Sequence, residues 1–323
     1  MTTRQIFVLL SLAPLCALAV GQNANPGQPG TLNYIEGQVS IAGAPMTAHS
    51  IGTTTLQPGE SIETKVGRAE LLLTSGIYLR IGANSSLKMV SPDLTHTEVA
   101  LLSGKADVEV DNIYKENDIL VDQRGSQARL LKPGLYAFNT TKATMRVFDG
   151  EASVAPMDNA DDVKHITVKS NHKLLLNGTA AKPVHFQKDG SQDGLYAWSS
   201  LRSEYLGEAN ENVASEYAGV DGFNPGWFWD APFGGYTWLP GDGMFFSPFG
   251  FGFYSPYYLD GGGMIYGRGG YGYGHGGYGR GGYGGRGGRV AHGGSFGGNF
   301  GGGMGGGFHG GGGGHVGVGG GHR

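Results

Sequence analysis

The residues with the strongest formal claim to chemistry crowd into the last fifth of the sequence. Five histidines, His275, His292, His309, His315 and His322, carry imidazoles that could ligate Cu(II), Ni(II) or Zn(II). Their separations of 17, 17, 6 and 7 residues define no preformed geometry, so they are weak, adventitious candidates, and neither a metal centre nor any other cofactor is expected. Gly293-Gly-Ser295-Phe-Gly297 fits a nucleophile elbow and Gly272-Tyr-Gly-His-Gly-Gly277 fits a dinucleotide loop. Both motifs work only where a strand turns sharply into a helix. Residues 261–323 hold 36 glycines in 63 positions, a density at which such matches arise by chance.

Arg268-Gly-Gly-Tyr271, Arg280-Gly-Gly-Tyr283 and Arg286-Gly-Gly-Arg289 follow the pattern of RGG boxes. In such boxes a flexible backbone lets guanidinium and ring faces stack on bases and phosphates. The same pattern suits cation–π contacts between tails and adhesion to an anionic surface. Arg268, Tyr271, Arg280, Tyr283, Arg286 and Arg289 are therefore interaction candidates, and the location of the protein decides between the two uses.

The rest of the chain offers less. His49, His96, His165, His172 and His185 are scattered near strand ends and turns, without a His-x-x-x-His pair. Asp158, Asp161 and Asp162 lack the spacing of a calcium loop. Nothing here specifies a catalytic constellation, and the expectation is a protein that is not an enzyme.

Composition separates the chain into two objects. Of 323 residues 63 are glycine, and all but 27 of these lie beyond residue 260. The formal charge of −4 likewise resolves into +5 on residues 261–323 and −9 on the body. A basic, Gly-rich tail of this kind cannot bury enough apolar surface to offset the entropy of ordering it, so it is expected to be disordered.

Residues 1–19 read as a secretory signal peptide: Arg4 in a short basic region, an apolar run from Ile6 to about Leu18, and Ala17-Leu18-Ala19 as the cleavage site. The apolar run is interrupted by Pro14 and falls short of the ~20 residues a spanning helix needs. Cleavage removes Cys16, the one cysteine, leaving neither disulfide nor thiol chemistry and no transmembrane span. Residues 20–30 form a polar Pro/Gly linker.

Over residues 31–190 the apolar period is two. Ala69, Leu71 and Leu73, then Ile77, Leu79 and Ile81, then Ala106, Val108 and Val110, and later Met145/Val147, Ala152/Val154, Ile166/Val168 and Leu174/Leu176 alternate with polar residues. Turn pairs punctuate them: Glu36-Gly37, Pro58-Gly59, Ser75-Gly76, Ser103-Gly104, Pro133-Gly134, Asp149-Gly150 and Asn177-Gly178. Short alternating strands between glycine turns predict an all-β sandwich, barrel or solenoid.

The order of these signals resembles a FecR-type domain. The resemblance runs through Gly37-Gln-Val39, Leu56-Gln-Pro-Gly59-Glu60-Ser-Ile62, Ala69-Glu-Leu-Leu-Leu73, Ser75-Gly76-Ile-Tyr-Leu79-Arg80-Ile81 and Asn84-Ser-Ser-Leu87. It continues through Leu101-Leu-Ser-Gly104-Lys-Ala-Asp-Val108-Glu-Val110, Gly134-Leu-Tyr-Ala-Phe138 and Met145-Arg-Val-Phe-Asp-Gly150-Glu-Ala-Ser-Val154. The resemblance implies a mainly β, bacterial, extracytoplasmic domain of stacked short strands, a β-solenoid or flattened roll. Family members relay signals from an outer-membrane receptor to a cytoplasmic sigma factor. Only the signal peptide precedes the domain here, where a sensor carries an anti-sigma segment and a spanning helix, so signal transduction stands as the alternative function.

In residues 191–220 the period changes to 3.6. Trp198, Leu201, Tyr205, Leu206, Ala209, Val213 and Tyr217 form an apolar stripe, Asp193 is the predicted N-cap and Gly219 the stop. Residues 221–260 are rich in aromatic residues and proline. Between Phe223 and Tyr258, 15 of 36 residues are aromatic, and Pro232, Pro240, Pro248 and Pro256 stand eight apart. Proline at this spacing predicts turns and edge ribbons rather than a long helix or central strands. The rings either pack on the body or, as Trp227, Trp229, Trp238, Phe249 and Tyr257, form a surface for interaction.

Together these readings predict a non-enzymatic, exported cell-envelope protein in the periplasm or on the surface of a Gram-negative-type bacterium. Its β-domain is expected to act as scaffold or binding module for an envelope protein or glycan, with self-association through the aromatic segment and tail. The further alternative, an RGG-type nucleic-acid-binding protein, requires a location where nucleic acid is met.

Overall fold

The computed structural model describes residues 27–157, 165–176 and 181–261. The signal-peptide reading, the Asp158–Asp162 turn, Asn177-Gly178 and the tail candidates beyond residue 261 lie outside the described residues.

In chain order the strands are β1 (Leu32–Ile41), β2 (Ala44–Pro45), β3 (Ser61–Leu72), β4 (Ile77–Ile81), β5 (Ser85–Pro92), β6 (His96–Ser103), β7 (Lys105–Val110), β8 (Asp118–Gln123), β9 (Ser126–Leu130), β10 (Gly134–Asn139), β11 (Thr144–Asp149), β12 (Glu151–Pro156), β13 (Ile166–Lys169), β14 (His172–Leu175) and β15 (Val184–His185). Helix α1 (Gly194–Glu216) follows, then the hairpins β16 (Gly226–Asp230)–β17 (Gly235–Leu239) and β18 (Met244–Phe246)–β19 (Gly252–Tyr254), and a single turn α2 (Pro256–Leu259).

One continuous sheet runs β13-β12-β9-β8-β6-β5-β3-β4-β7-β10-β11-β14-β15 and folds over on itself at β3. The first half of β3 pairs with β5 and its second half with β4, while β1 pairs along both halves. β3 thus passes from one layer to the other. The bend falls where Gly37 of β1 meets Gly67 of β3. A Cβ on Gly37, whose φ is +70°, would stand 2.2 Å from the Val66 carbonyl oxygen, so only glycine lets the two backbones cross there. Glu36-Gly37 therefore marks a bulge inside a ten-residue strand rather than the predicted turn.

Side chains from both layers meet in one core. Leu71, Leu79, Val108, Phe138 and Val147 face Val99, Val121, Ala128, Val154 and Val168, and the alternating positions read from the sequence supply most of it. Pairing is antiparallel throughout the described strands except for β6 with β8. The architecture is therefore a flattened, mainly β roll with one long helix, and not the parallel coil of a solenoid.

Asp193 caps α1, its Oδ1 accepting from the backbone N–H groups of Leu195 and Tyr196 at 3.1 Å. Its Oδ2 meets Lys105 Nζ at 2.6 Å, which ties the first turn of the helix to β7. Burial raises the Asp193 pKa, but the Lys105 bond and the helix amides outweigh it and leave the carboxyl below its ordinary range. The face that α1 buries is only in part the predicted stripe. Leu201 and Tyr205 are 45% and 44% exposed, while Ser199, Arg202, Ser203 and Asn210 are buried beside Trp198, Leu206, Ala209 and Val213. The reason lies in the surface that the helix covers.

Candidate functional site

In β3, β4 and β7 the residues pointing away from the core include Glu70, Arg80, Asp107 and Glu109 beside the apolar Leu72 and Tyr78, alternating with Ala69, Leu71, Leu79, Ile81, Ala106 and Val108. Strict alternation with one face in the core should leave the other in water. Instead Glu70, Arg80 and Glu109 are 0% exposed, because α1 lies over them. Ionised groups out of water must be paired and hydrogen-bonded, and the helix supplies partners that an apolar stripe could not.

Arg80 Nε bonds Glu70 Oε2 at 2.8 Å, and Arg80 Nη1 bonds Glu109 Oε2. From the helix, Arg202 Nη2 donates to Glu70 Oε1 at 2.8 Å, Ser203 Oγ to Glu109 Oε1 at 2.7 Å and Ser199 Oγ to Asp107 Oδ2 at 2.9 Å. The Arg202 guanidinium also lies 4.0 Å from the centre of the Tyr34 ring and 4.8 Å from that of Phe233, a desolvated cation–π arrangement.

Burial pushes the Glu70 carboxyl up, but Arg202 and Arg80 overcome it and hold it down at about 2. Asp107 is pushed up to about 7 by burial, which the Ser199 bond only partly offsets. Asp111, next along the same face, is raised well above the carboxylate range by burial and then by the Glu109 charge and hydrogen bond.

Two asparagines bind the aromatic ribbons by imitating a strand edge. Asn33 Nδ2 donates to Glu70 Oε1 and to the Tyr236 carbonyl, while its Oδ1 accepts from the Tyr236 N–H at 2.7 Å. Asn210 on α1 donates to the carbonyls of Trp238 and Tyr254 and accepts from the Tyr254 N–H at 2.7 Å. Neither residue stands out in the sequence. Their signal would have been a polar residue at an inward position of a strand or helix otherwise buried.

The aromatic segment forms ribbons between its prolines, as expected, and Pro256 is tolerated because it opens α2. Trp238 is fully buried at the Gly76 turn, Trp229 rests on Gly52 and Trp227 on Gly27, positions where an added Cβ would lie 3.1, 2.4 and 3.0 Å from the indoles. Trp238 is thus a core residue rather than an interaction surface: the glycine turns leave room for the ring, and burial of so large an apolar group wins. Trp227 and Trp229 are half-buried around the same cluster. Phe249 packs edge-on against Tyr196, with ring centres 5.2 Å apart. Tyr257, 49% exposed, keeps a ring available to a partner.

The opposite layer is open. Between the ends of β6, β8, β10 and β12 lies a groove of about 710 Å3 whose lining includes Leu102, Asp122, Gln123, Arg124, Thr140 and Met157. Leu102 and Met157 are exposed, Gln123 is buried with its Oε1 unpartnered, and its Nε2 is held by the Asn139 carbonyl at 3.1 Å. Arg124 is positioned by a 2.6 Å bond from Nε to the Thr140 carbonyl. Asp122 is raised to about 7 by burial and by its hydrogen bond with Glu98, and Gln127 Nε2 bridges the two carboxyls at 3.1 and 3.4 Å. Apolar patches beside fixed donors and acceptors are what a hydroxyl-rich ligand needs.

The structure brings none of the groove residues together with the histidines singled out in the sequence. Elsewhere on this layer Ser153 Oγ lies 3.2 Å from His165 Nδ1 on an exposed edge, and no carboxylate orients that imidazole among the described residues. Also among the described residues, no helix is long and apolar enough to cross a membrane.

Fold and site together define a mainly β roll closed on one face by a helix. No family model matches the chain and no curated protein does. Among solved structures it is similar to two crystal structures of a candidate anti-sigma factor from Parabacteroides distasonis, at 14% identity and a TM-score of 0.34. The match covers 43% of this chain and 64% of that one, so the chain spans less than two thirds of its neighbour's length.

Proposed function

We propose that the protein is a non-enzymatic, exported cell-envelope protein in which a FecR-like roll serves as scaffold and binding module, and the Gly/Arg/Tyr/His tail makes weak contacts with the envelope or with other copies. The observation that carries this reading is the division between the two faces. The most perturbed ionisable groups beneath α1 are sealed, out of reach of any substrate, whereas the open groove offers the Thr141 hydroxyl, the Arg124 guanidinium and apolar Leu102. Such a surface binds rather than reacts, and a glycan of the envelope is the ligand class it suits.

Cell fractionation with N-terminal sequencing tests the location. The expected result is a mature chain beginning at Val20 in the periplasmic or surface fraction. A cytoplasmic, unprocessed chain overturns the reading and favours nucleic acid as the partner of the arginines. Cosedimentation with isolated envelope glycan tests the module: Arg124→Ala with Leu102→Glu, both exposed in the groove, should weaken retention about tenfold or more if the groove is the site, and unchanged retention removes it.

A further inference from the structure

His172 and His185 share no motif, and the roll brings them face to face. β14 and β15 pair antiparallel with His172 directly opposite His185. Their ring centres are 5.6 Å apart and their planes stand at 89°. His172 Nδ1 lies 2.9 Å from the Ser170 carbonyl oxygen. A carbonyl only accepts, so Nδ1 carries a proton, and in the neutral ring Nε2 keeps its lone pair. That is the tautomer of a metal-binding imidazole whose second nitrogen is anchored by an outer acceptor.

The anchor is itself fixed. The Gly150 N–H donates to Ser170 Oγ at 3.0 Å, and Ser170 Oγ donates to Asp149 Oδ1 at 3.0 Å. His185 is exposed, which leaves its ring free to turn toward its neighbour. Directly opposed side chains start with Cβ atoms about 4.5–5.5 Å apart, a span that two nitrogens at about 2.0–2.1 Å from one ion can close.

We propose that His172 and His185 form a chelating pair for a borderline divalent transition-metal ion, Zn(II), Ni(II) or Cu(II), with water completing its coordination. Imidazole selects these ions over Ca2+ and Mg2+, which take oxygen ligands. Among the described residues no group of three or more His, Cys, Asp or Glu side chains is placed to hold a metal. The pair is therefore an open clip and not a closed structural centre. Bound metal would tie β15, the last strand before α1, to the body of the roll.

The test uses the full chain with the five tail histidines changed to asparagine, so that they do not compete, titrated calorimetrically with Zn(II) at pH 7.5. One ion per chain is expected to bind. His172→Ala and His185→Ala should each weaken binding about tenfold or more, with far-UV circular dichroism and urea midpoint unchanged without metal. The glutamine variant replaces any alanine variant that loses its fold. Absence of binding in the parent, binding indifferent to both substitutions, or loss with only one of them overturns the pair.

Discussion

On β7, Asp107 and Glu109 point away from the core toward α1; on β6 and β8, Glu98 and Asp118 point away from the core toward water. The strands are patterned alike, and the partner differs. Beneath the helix, Arg80 and Glu70 have side chains with 0% exposure and are joined at 2.8 Å. On the open layer, Arg129 Nε meets Asp118 Oδ1 at 3.0 Å with side chains 55% and 26% exposed. Nearly equal distances conceal very different energetics. An exposed pair contributes about 0–1 kcal/mol, whereas a sealed one carries a desolvation cost of several kcal/mol per ion that only its partners offset. The covered network therefore works less as a source of net stability than as a constraint: one seating of α1 brings Arg202, Ser199 and Ser203 onto Glu70, Asp107 and Glu109 together.

The largest effect that should separate the faces is loss of one buried partner. Arg80→Met leaves Glu109 without its cationic partner and should cost about 3–5 kcal/mol, read as a lower urea midpoint by tryptophan fluorescence. A cost below about 1 kcal/mol would place the two faces on the same footing.

Next comes pH. Asp107 binds its proton more tightly in the folded state, with its pKa moved from 3.8 to about 7. Its contribution is thus full below pH 4 and is lost as pH rises to 7. Glu70, moved from 4.5 to about 2, behaves oppositely: its contribution is present above 4.5 and disappears as pH falls toward 2. Asp107→Asn should remove about 2–4 kcal/mol of the decline between pH 4 and 7. Asp122→Asn, beside the water of the groove, should remove less, and urea titrations across that range compare the two.

Smaller again is the cap. Asp193→Ala should cost about 1 kcal/mol, and Arg129→Ala on the open layer less than about 1 kcal/mol. Equal losses for Arg80→Met and Arg129→Ala would break the comparison altogether.

The sequence shows the inner half of this molecule well and the covered half poorly. Alternation at Ala69/Leu71, Leu79/Ile81 and Val108/Val110 reports burial directly, because those side chains meet only other apolar groups. Asp193 announces its helix because capping is local. The seating of α1 is not local. Leu201 and Tyr205 look like core on an apolar scale, and Arg202 looks like surface, until Glu70 is known to lie across from it. Likewise Asn33 and Asn210 are ordinary until an unpaired ribbon edge is set against them. The His172–His185 pair depends on the register of two edge strands, which spacing alone does not give.

The separation of the covered network along the chain has a consequence for the order of assembly. Arg202 reaches back 132 residues to Glu70, and the Tyr236 N–H 203 residues to Asn33. Contacts that close such long loops carry a high loop-closure entropy, so on that ground the helix is expected to seat after the strands of the roll have paired. The surface so left carries Glu70, Arg80, Asp107 and Glu109 beside the apolar Leu72 and Tyr78, so a roll without its helix would show its neighbours a charged sheet with an apolar patch.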